Sequence, residues 1–100
     1  MMYRYVISLG ELKKLQEKGT VRLVDVREPE SYEKGHIPGA VSIPYSEEQS
    51  FQEKFLKKET IVFCCDRGNL STRVTLRMRK AGYQAYSLAG GYEGYRRFQK

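Results

Sequence analysis

No stretch of this sequence is apolar over the ~20 residues that a bilayer span requires. The opening residues, Met1-Met2-Tyr3-Arg4-Tyr5-Val6, lack the apolar core of a secretion signal. Cysteine occurs twice and histidine once. The two cysteines, Cys64 and Cys65, are adjacent, and consecutive residues rarely reach the Cα separation and side-chain directions of a disulfide. They also lack zinc-ligand spacing, and a single histidine adds little to a ligand set, so no metal is expected. Repeats, linkers and low-complexity runs are absent. What remains is one domain over residues 1–100, expected to be soluble and cytoplasmic, with a thiol used as a thiol. Acidic residues are scarce toward the end. Residues 67–100 carry eight Lys or Arg and one acid, whereas residues 1–66 carry ten against eleven. A basic half points to an anionic partner or to a plain solvated face.

Short strand-like and helix-like segments alternate along the chain. Tyr3–Ile7 reads as a strand. Ser8-Leu9-Gly10-Glu11 is a capping box that should open a helix, with Leu9, Leu12 and Leu15 inward and Gly19 at its end. Val21–Val26 is β-branched and apolar enough for a buried strand. Pro29 followed by acids, closed by Gly35, predicts a short helix. His36-Ile37-Pro38-Gly39 is a turn, and Ala40–Ile43 a short strand stopped by Pro44. Ser46-Glu47-Glu48-Gln49 is a second capping box, and Phe51, Phe55 and Leu56 are the expected apolar face of its helix. Thr60–Cys64 is the most strand-like run. A loop follows, then a helix expected to be capped by Ser71 and to run to Ala81 with Val74, Met78 and Ala81 inward. Gln84–Leu88 is the last strand, Ala89-Gly90-Gly91 a flexible turn, and Tyr92–Phe98 a final helix. The alternation implies an α/β fold whose mainly parallel sheet is covered by helices on both faces.

Ligands of open α/β sheets bind beyond the carboxyl ends of the strands. Cys65 stands at that end of the most apolar strand. The following Gly68-Asn69 tolerates positive φ, and a helix start comes at once. Backbone N–H groups curling toward a helix start form a nest for an anion, and a sulfur held there is favoured as thiolate over thiol. Cys65 is therefore the candidate nucleophile. Cys64, pointing the other way in the strand alternation, is assigned to the core.

These residues also resemble a known family. Leu23-Val24-Asp25-Val26-Arg27-Glu28 with Gly35-His36-Ile37-Pro38-Gly39-Ala40 resembles the N-terminal signature of rhodanese domains. Cys65-Asp66-Arg67-Gly68-Asn69-Leu70-Ser71 resembles their active-site loop, and Leu88-Ala89-Gly90-Gly91-Tyr92 their C-terminal signature. The resemblance implies a five-stranded, mainly parallel sheet and sulfurtransferase chemistry without cofactor or metal. In that scheme Cys65 takes the outer sulfur of thiosulfate or of a persulfide and passes it to cyanide, a thiol or a sulfur-relay protein. The N–H groups of Asp66, Arg67, Gly68, Asn69, Leu70 and Ser71 are expected to hold the anionic sulfur, with Asp25 and Arg27 in support.

Two loop positions depart from the common pattern. Leu70 stands where many relatives carry arginine, and Asp66 puts an acid beside the nucleophile. Both work against an anionic donor and favour a persulfide over thiosulfate. Arg67 is expected either to contact the donor or to pair with Asp66. His36, inside its turn, is assigned a structural role rather than that of a general base. Arg73, Arg77 and Lys80 share a helix face with no interleaved aromatics, so no nucleic-acid partner is expected. Tyr92 and Tyr95 belong either to the pocket mouth or to the core. Two other readings stay open: a rhodanese-fold binding or regulatory module without catalysis, and a phosphatase or arsenate-reductase-like activity. The latter branch uses a longer loop ending in arginine, unlike the six residues from Cys65 to Leu70 here.

Overall fold

The computed structural model describes residues 4–98. Five strands, β1 (Val6–Ile7), β2 (Val21–Asp25), β3 (Ala40–Ser42), β4 (Thr60–Cys64) and β5 (Gln84–Leu88), form one sheet in the order β1-β5-β4-β2-β3. Every adjacent pair is parallel, so the sheet is wholly rather than mainly parallel. β4 is central, which suits its apolar sequence. Ile61, Val62, Phe63 and Cys64 have no exposed surface because both faces are covered.

The helices α1 (Leu9–Lys18), α2 (Pro29–Lys34), α3 (Phe51–Lys54), α4 (Asn69–Lys80) and α5 (Gly91–Arg97) divide between those faces. On one face Phe51 of α3 and Val74 and Met78 of α4 pack with Val24, Ile61, Phe63 and Cys65. On the other, Leu12 of α1 packs with Leu23, Val62, Cys64 and Leu88, joined by Tyr32 of α2 and Tyr92 and Tyr95 of α5. Cys64 and Cys65 thus serve opposite layers, as alternation along a strand requires. Each fully buried Phe or Leu stabilises the fold by roughly 1.5–3 kcal/mol. No helix among the described residues is long and apolar enough to cross a membrane.

Local signals behave as their chemistry dictates at the first helix. The Ser8 hydroxyl accepts the Glu11 N–H and the Glu11 carboxylate accepts the Ser8 N–H, while Gly19 closes the helix at φ +69°. Arg4, pairing with Glu11, and the Ser8 amide hold the Glu11 carboxyl down at about 2. Three expectations change. β1 is shorter than Tyr3–Ile7, with Tyr3 outside the described residues. The helix expected from Ser46 is broken: a 3-10 helix over Tyr45–Ser50 follows Pro44, Glu47 takes non-helical angles, and only Phe51–Lys54 is α-helical. Glu47 N–H bonds the Pro44 carbonyl at 2.9 Å, so the helix is capped at Pro44, two residues early, and the Ser46 capping box does not form. Phe51 and Phe55 are buried against Phe63, but the chain is already extended at Phe55, and Leu56 points to solvent. Finally, α4 begins at Asn69, with Gly68 rather than Ser71 as its N-cap.

Candidate active site

Cys65 follows the last residue of the central strand, at its carboxyl end. Gly68 takes φ +115°, a conformation that side chains disfavour, and this turns the chain from strand into α4 across four residues. Gly68 has no side chain with which to cap the helix. The Cys65 sulfur takes that place, accepting the N–H of Gly68 at 3.1 Å and the N–H of Ser71, the third helical residue, at 3.4 Å. In the thiol form it also donates to the Ser71 hydroxyl at 3.4 Å. The Asn69 and Leu70 amides, in the first turn, have no intrahelical carbonyl to bond, and the positive end of the helix dipole lies here. The two N–H groups and the helix dipole stabilise negative charge at the sulfur. Cys65 is only 4% exposed, yet it lines a cavity of about 660 Å³ together with Val26, Arg27, Tyr45, Arg67 and Leu70.

Asp25 and Arg27 build the adjoining wall. Arg27 Nε lies 3.0 and 3.1 Å from the two Asp25 carboxylate oxygens, and Nη2 lies 2.7 Å from Oδ2 and from the Gly35 carbonyl. Its guanidinium stacks 4.3 Å from the Tyr92 ring centre. Burial works against the Arg27 charge, but the hydrogen bond to Asp25 together with the charges of Asp25 and Asp66 outweighs it and holds the guanidinium protonated above its ordinary range. Asp66 points outward and faces Arg27 at 3.8 Å. Asp66 is therefore the partner of Arg27 and not of Arg67, which lines the cavity with no ion-pair partner among the described residues.

The Gly90-Gly91 turn, expected to be flexible, is pinned to the loop. Gly90 and Gly91 take φ +77° and +56°, and the first α5 amides bond the back of the cradle: Tyr92 N–H to Cys65 O at 2.8 Å, Glu93 N–H to Asp66 O at 2.9 Å. A Cβ on Gly91 would lie 2.7 Å from the Asp66 carbonyl oxygen. Tyr92 packs with the core layer and supports Arg27, so of its two expected places it takes the core side. Cys64 is sealed in the far layer, where burial, and then the Asp25 charge, push its thiol up. His36 is exposed, stacked on Tyr32 at 3.7 Å and bonded to the Tyr32 carbonyl, and does not line the cavity.

Two parts of the site carried no sequence signal. Tyr45 reaches the cavity because its N–H bonds Val26 O at 2.9 Å across the sheet edge. Ser87, on β5, reaches the Ser71 hydroxyl from below.

The fold and the site define a class: an open, all-parallel α/β protein with a cysteine-centred loop at the carboxyl end of its central strand. The chain belongs to the rhodanese-like family, whose domain matches residues 8–98. It is 33% identical over 94 residues to a thiosulfate sulfurtransferase GlpE of Coxiella burnetii, covering 93% of this chain and 87% of that one. The human single-domain sulfurtransferase TSTD1 superposes with a TM-score of 0.88 at 33% identity, over 98% of this chain and 100% of that one. A tRNA sulfurtransferase of Pyrobaculum aerophilum is 42% identical over 66 residues, but this stretch is only 14% of that protein.

Proposed function

We propose that the protein is a sulfurtransferase that carries sulfane sulfur as a persulfide on Cys65. The observation behind this reading is the sulfur's own coordination: two N–H groups at 3.1 and 3.4 Å and a hydroxyl at 3.4 Å, at a helix N-terminus beside an open cavity. The Cys65 thiolate attacks the outer sulfur of the donor. The S–S bond of thiosulfate breaks, sulfite leaves with the bonding pair, and Cys65 carries the added sulfur as an anionic persulfide. An acceptor thiolate, or cyanide, then attacks that outer sulfur and Cys65 leaves as thiolate. The unpaired amides of the first α4 turn are suited to the negative outer sulfur. The cavity wall of Val26, Tyr45 and Leu70 fits an organic persulfide better than a small dianion. Two free cysteines suit the reducing cytoplasm.

Mass spectrometry after incubation with thiosulfate, and separately with a low-molecular-weight persulfide, tests the reading. The expected result is one added sulfur on Cys65, removed by a thiol or by cyanide, absent in Cys65→Ser and retained in Cys64→Ser. Leu70 in the usual place of an arginine, and the Asp66 carboxylate, favour the second reading, a binding module without turnover. That reading predicts no adduct from either donor. The phosphatase-like alternative is disfavoured by the same leucine, since no arginine ends the loop to clamp a tetrahedral oxyanion.

A further inference from the structure

We propose that Ser87 is a positioning residue for Cys65, acting through Ser71 by a chain of hydroxyls whose donor direction reverses when the sulfur ionises. The chain runs from Cys65 Sγ to Ser71 Oγ at 3.4 Å, on to Ser87 Oγ at 2.8 Å, and to Thr72 Oγ1 at 3.2 Å. Ser71 and Ser87 are 0% and 1% exposed, so water does not substitute for their partners.

The Ser71 hydroxyl has one proton and three acceptors in reach: Cys65 Sγ, Ser87 Oγ and the Gly68 carbonyl at 3.2 Å. While the sulfur is a thiol, S–H donates to Ser71 Oγ and Ser71 donates to Gly68 O. When that proton leaves to water in the open cavity, the sulfur only accepts. The Ser71 O–H turns to it, and the emptied acceptor side of Ser71 Oγ takes the Ser87 O–H, which in turn is followed by the Thr72 O–H. Gly68 O is not orphaned, because it keeps the Thr72 N–H at 3.0 Å. Each buried group stays bonded in both states, and hydrogen bonds aligned in one sense strengthen each other. Ser87 is needed only in the ionised state. Removing it leaves the thiol form satisfied and the thiolate form with a buried, half-satisfied hydroxyl. The charged and titratable groups lining the cavity are Arg27, Glu28, Tyr45, Asp66, Arg67 and Glu93, and none of them contacts Ser87. They set a background that the substitution does not alter.

The proposal rests on Cys65 as the reacting thiol, whatever the donor. The test is the pH dependence of Cys65 alkylation by iodoacetamide in the full chain, read on the Cys65 peptide by mass spectrometry. In Ser87→Ala the midpoint is expected to rise by about half a pH unit, with a roughly threefold slower reaction at neutral pH and an undiminished alkaline plateau. Thr72→Val, at the partly exposed end of the chain, should shift the midpoint the same way but less, and Ser87→Thr should restore it. A lowered plateau with an unmoved midpoint would mean mere packing damage and would overturn the proposal. Should Ser87→Ala not fold, Thr72→Val decides alone: a raised midpoint supports the chain and an unmoved one refutes it. Alkylation needs no sulfur donor, so a failed donor assay and a failed hydroxyl chain are told apart.

Discussion

Leu70 packs partly buried against the apolar layer of Phe63 and Val74 and also lines the cavity beside Cys65. An arginine there would put a cation at the mouth of the cradle, where an anionic donor such as thiosulfate would bind. Leu70→Arg is expected to lower KM for thiosulfate several-fold; an unchanged or higher KM would refute this account of donor choice. Cys64 offers a second prediction. Burial, and then the Asp25 charge, raise its folded-state pKa, so the native protein holds this proton more tightly than the unfolded chain does. That contribution to stability is complete below the free thiol value of roughly 8.5 and is lost as pH rises above it. Chemical denaturation across alkaline pH should therefore show a falling limb that Cys64→Ala flattens, and identical limbs would contradict the assignment. The two cysteines were separable in the sequence because alternation along a strand sends neighbours to opposite faces. The coupling of Asp25 to Arg27 was visible as proximity in the chain, whereas the Tyr92 ring that carries the guanidinium comes from 65 residues further on.

At the scale of elements, the loop, α4 and α5 act as one unit. The start of α5 donates two amides to the carbonyls of Cys65 and Asp66, and this close approach requires that Gly91 have no side chain. Gly91→Ala meets both a φ of +56° and main-chain oxygens that cannot move aside without opening the cradle. The expected cost is ~2–3 kcal/mol in urea denaturation, together with slower alkylation of Cys65. Normal alkylation in a destabilised Gly91→Ala would uncouple α5 from the site. The capping box at Ser8 was legible because all its parts lie within four residues. The equally plausible box at Ser46 failed because Pro44 starts a tighter turn just before it, and the chain then goes extended at Phe55. The start of α4 was misplaced by three residues for a related reason: a cysteine sulfur, not a conventional capping side chain, satisfies its first turn.

Across the whole molecule, the basic surplus of residues 67–100 is not gathered at the cavity. Arg77 pairs with Glu48, and Arg79 donates to the Ala85 carbonyl and stacks on Tyr86. The cavity itself is lined by Arg27 and Arg67 against Glu28, Asp66 and Glu93, with Arg27 already neutralised by Asp25. A dianionic donor is therefore not steered inward. Turnover of thiosulfate, measured as kcat/KM, should stay flat or rise as salt is raised from about 0.05 to 0.5 M, because screening weakens the repulsion. A steep fall would reveal a cationic funnel that the cavity lining does not show.

The amino-acid pattern alone determined the alternation of strands and helices, the parallel sheet, the thiol at the end of its central strand and the acid–arginine pair beside it. Those features depend on period, on capping chemistry and on residues within a few positions of one another. Only the folded chain decided which amides reach the sulfur, that Asp66 turns to Arg27, and that Tyr45 and Ser87 belong to the site. The amides of Gly68 and Ser71 lie within six residues of Cys65, and the fold only selects them from the loop; the contacts of Asp66, Tyr45 and Ser87 join residues far apart in sequence, and their distances follow from how five strands stack side by side, a property that no short window of sequence contains.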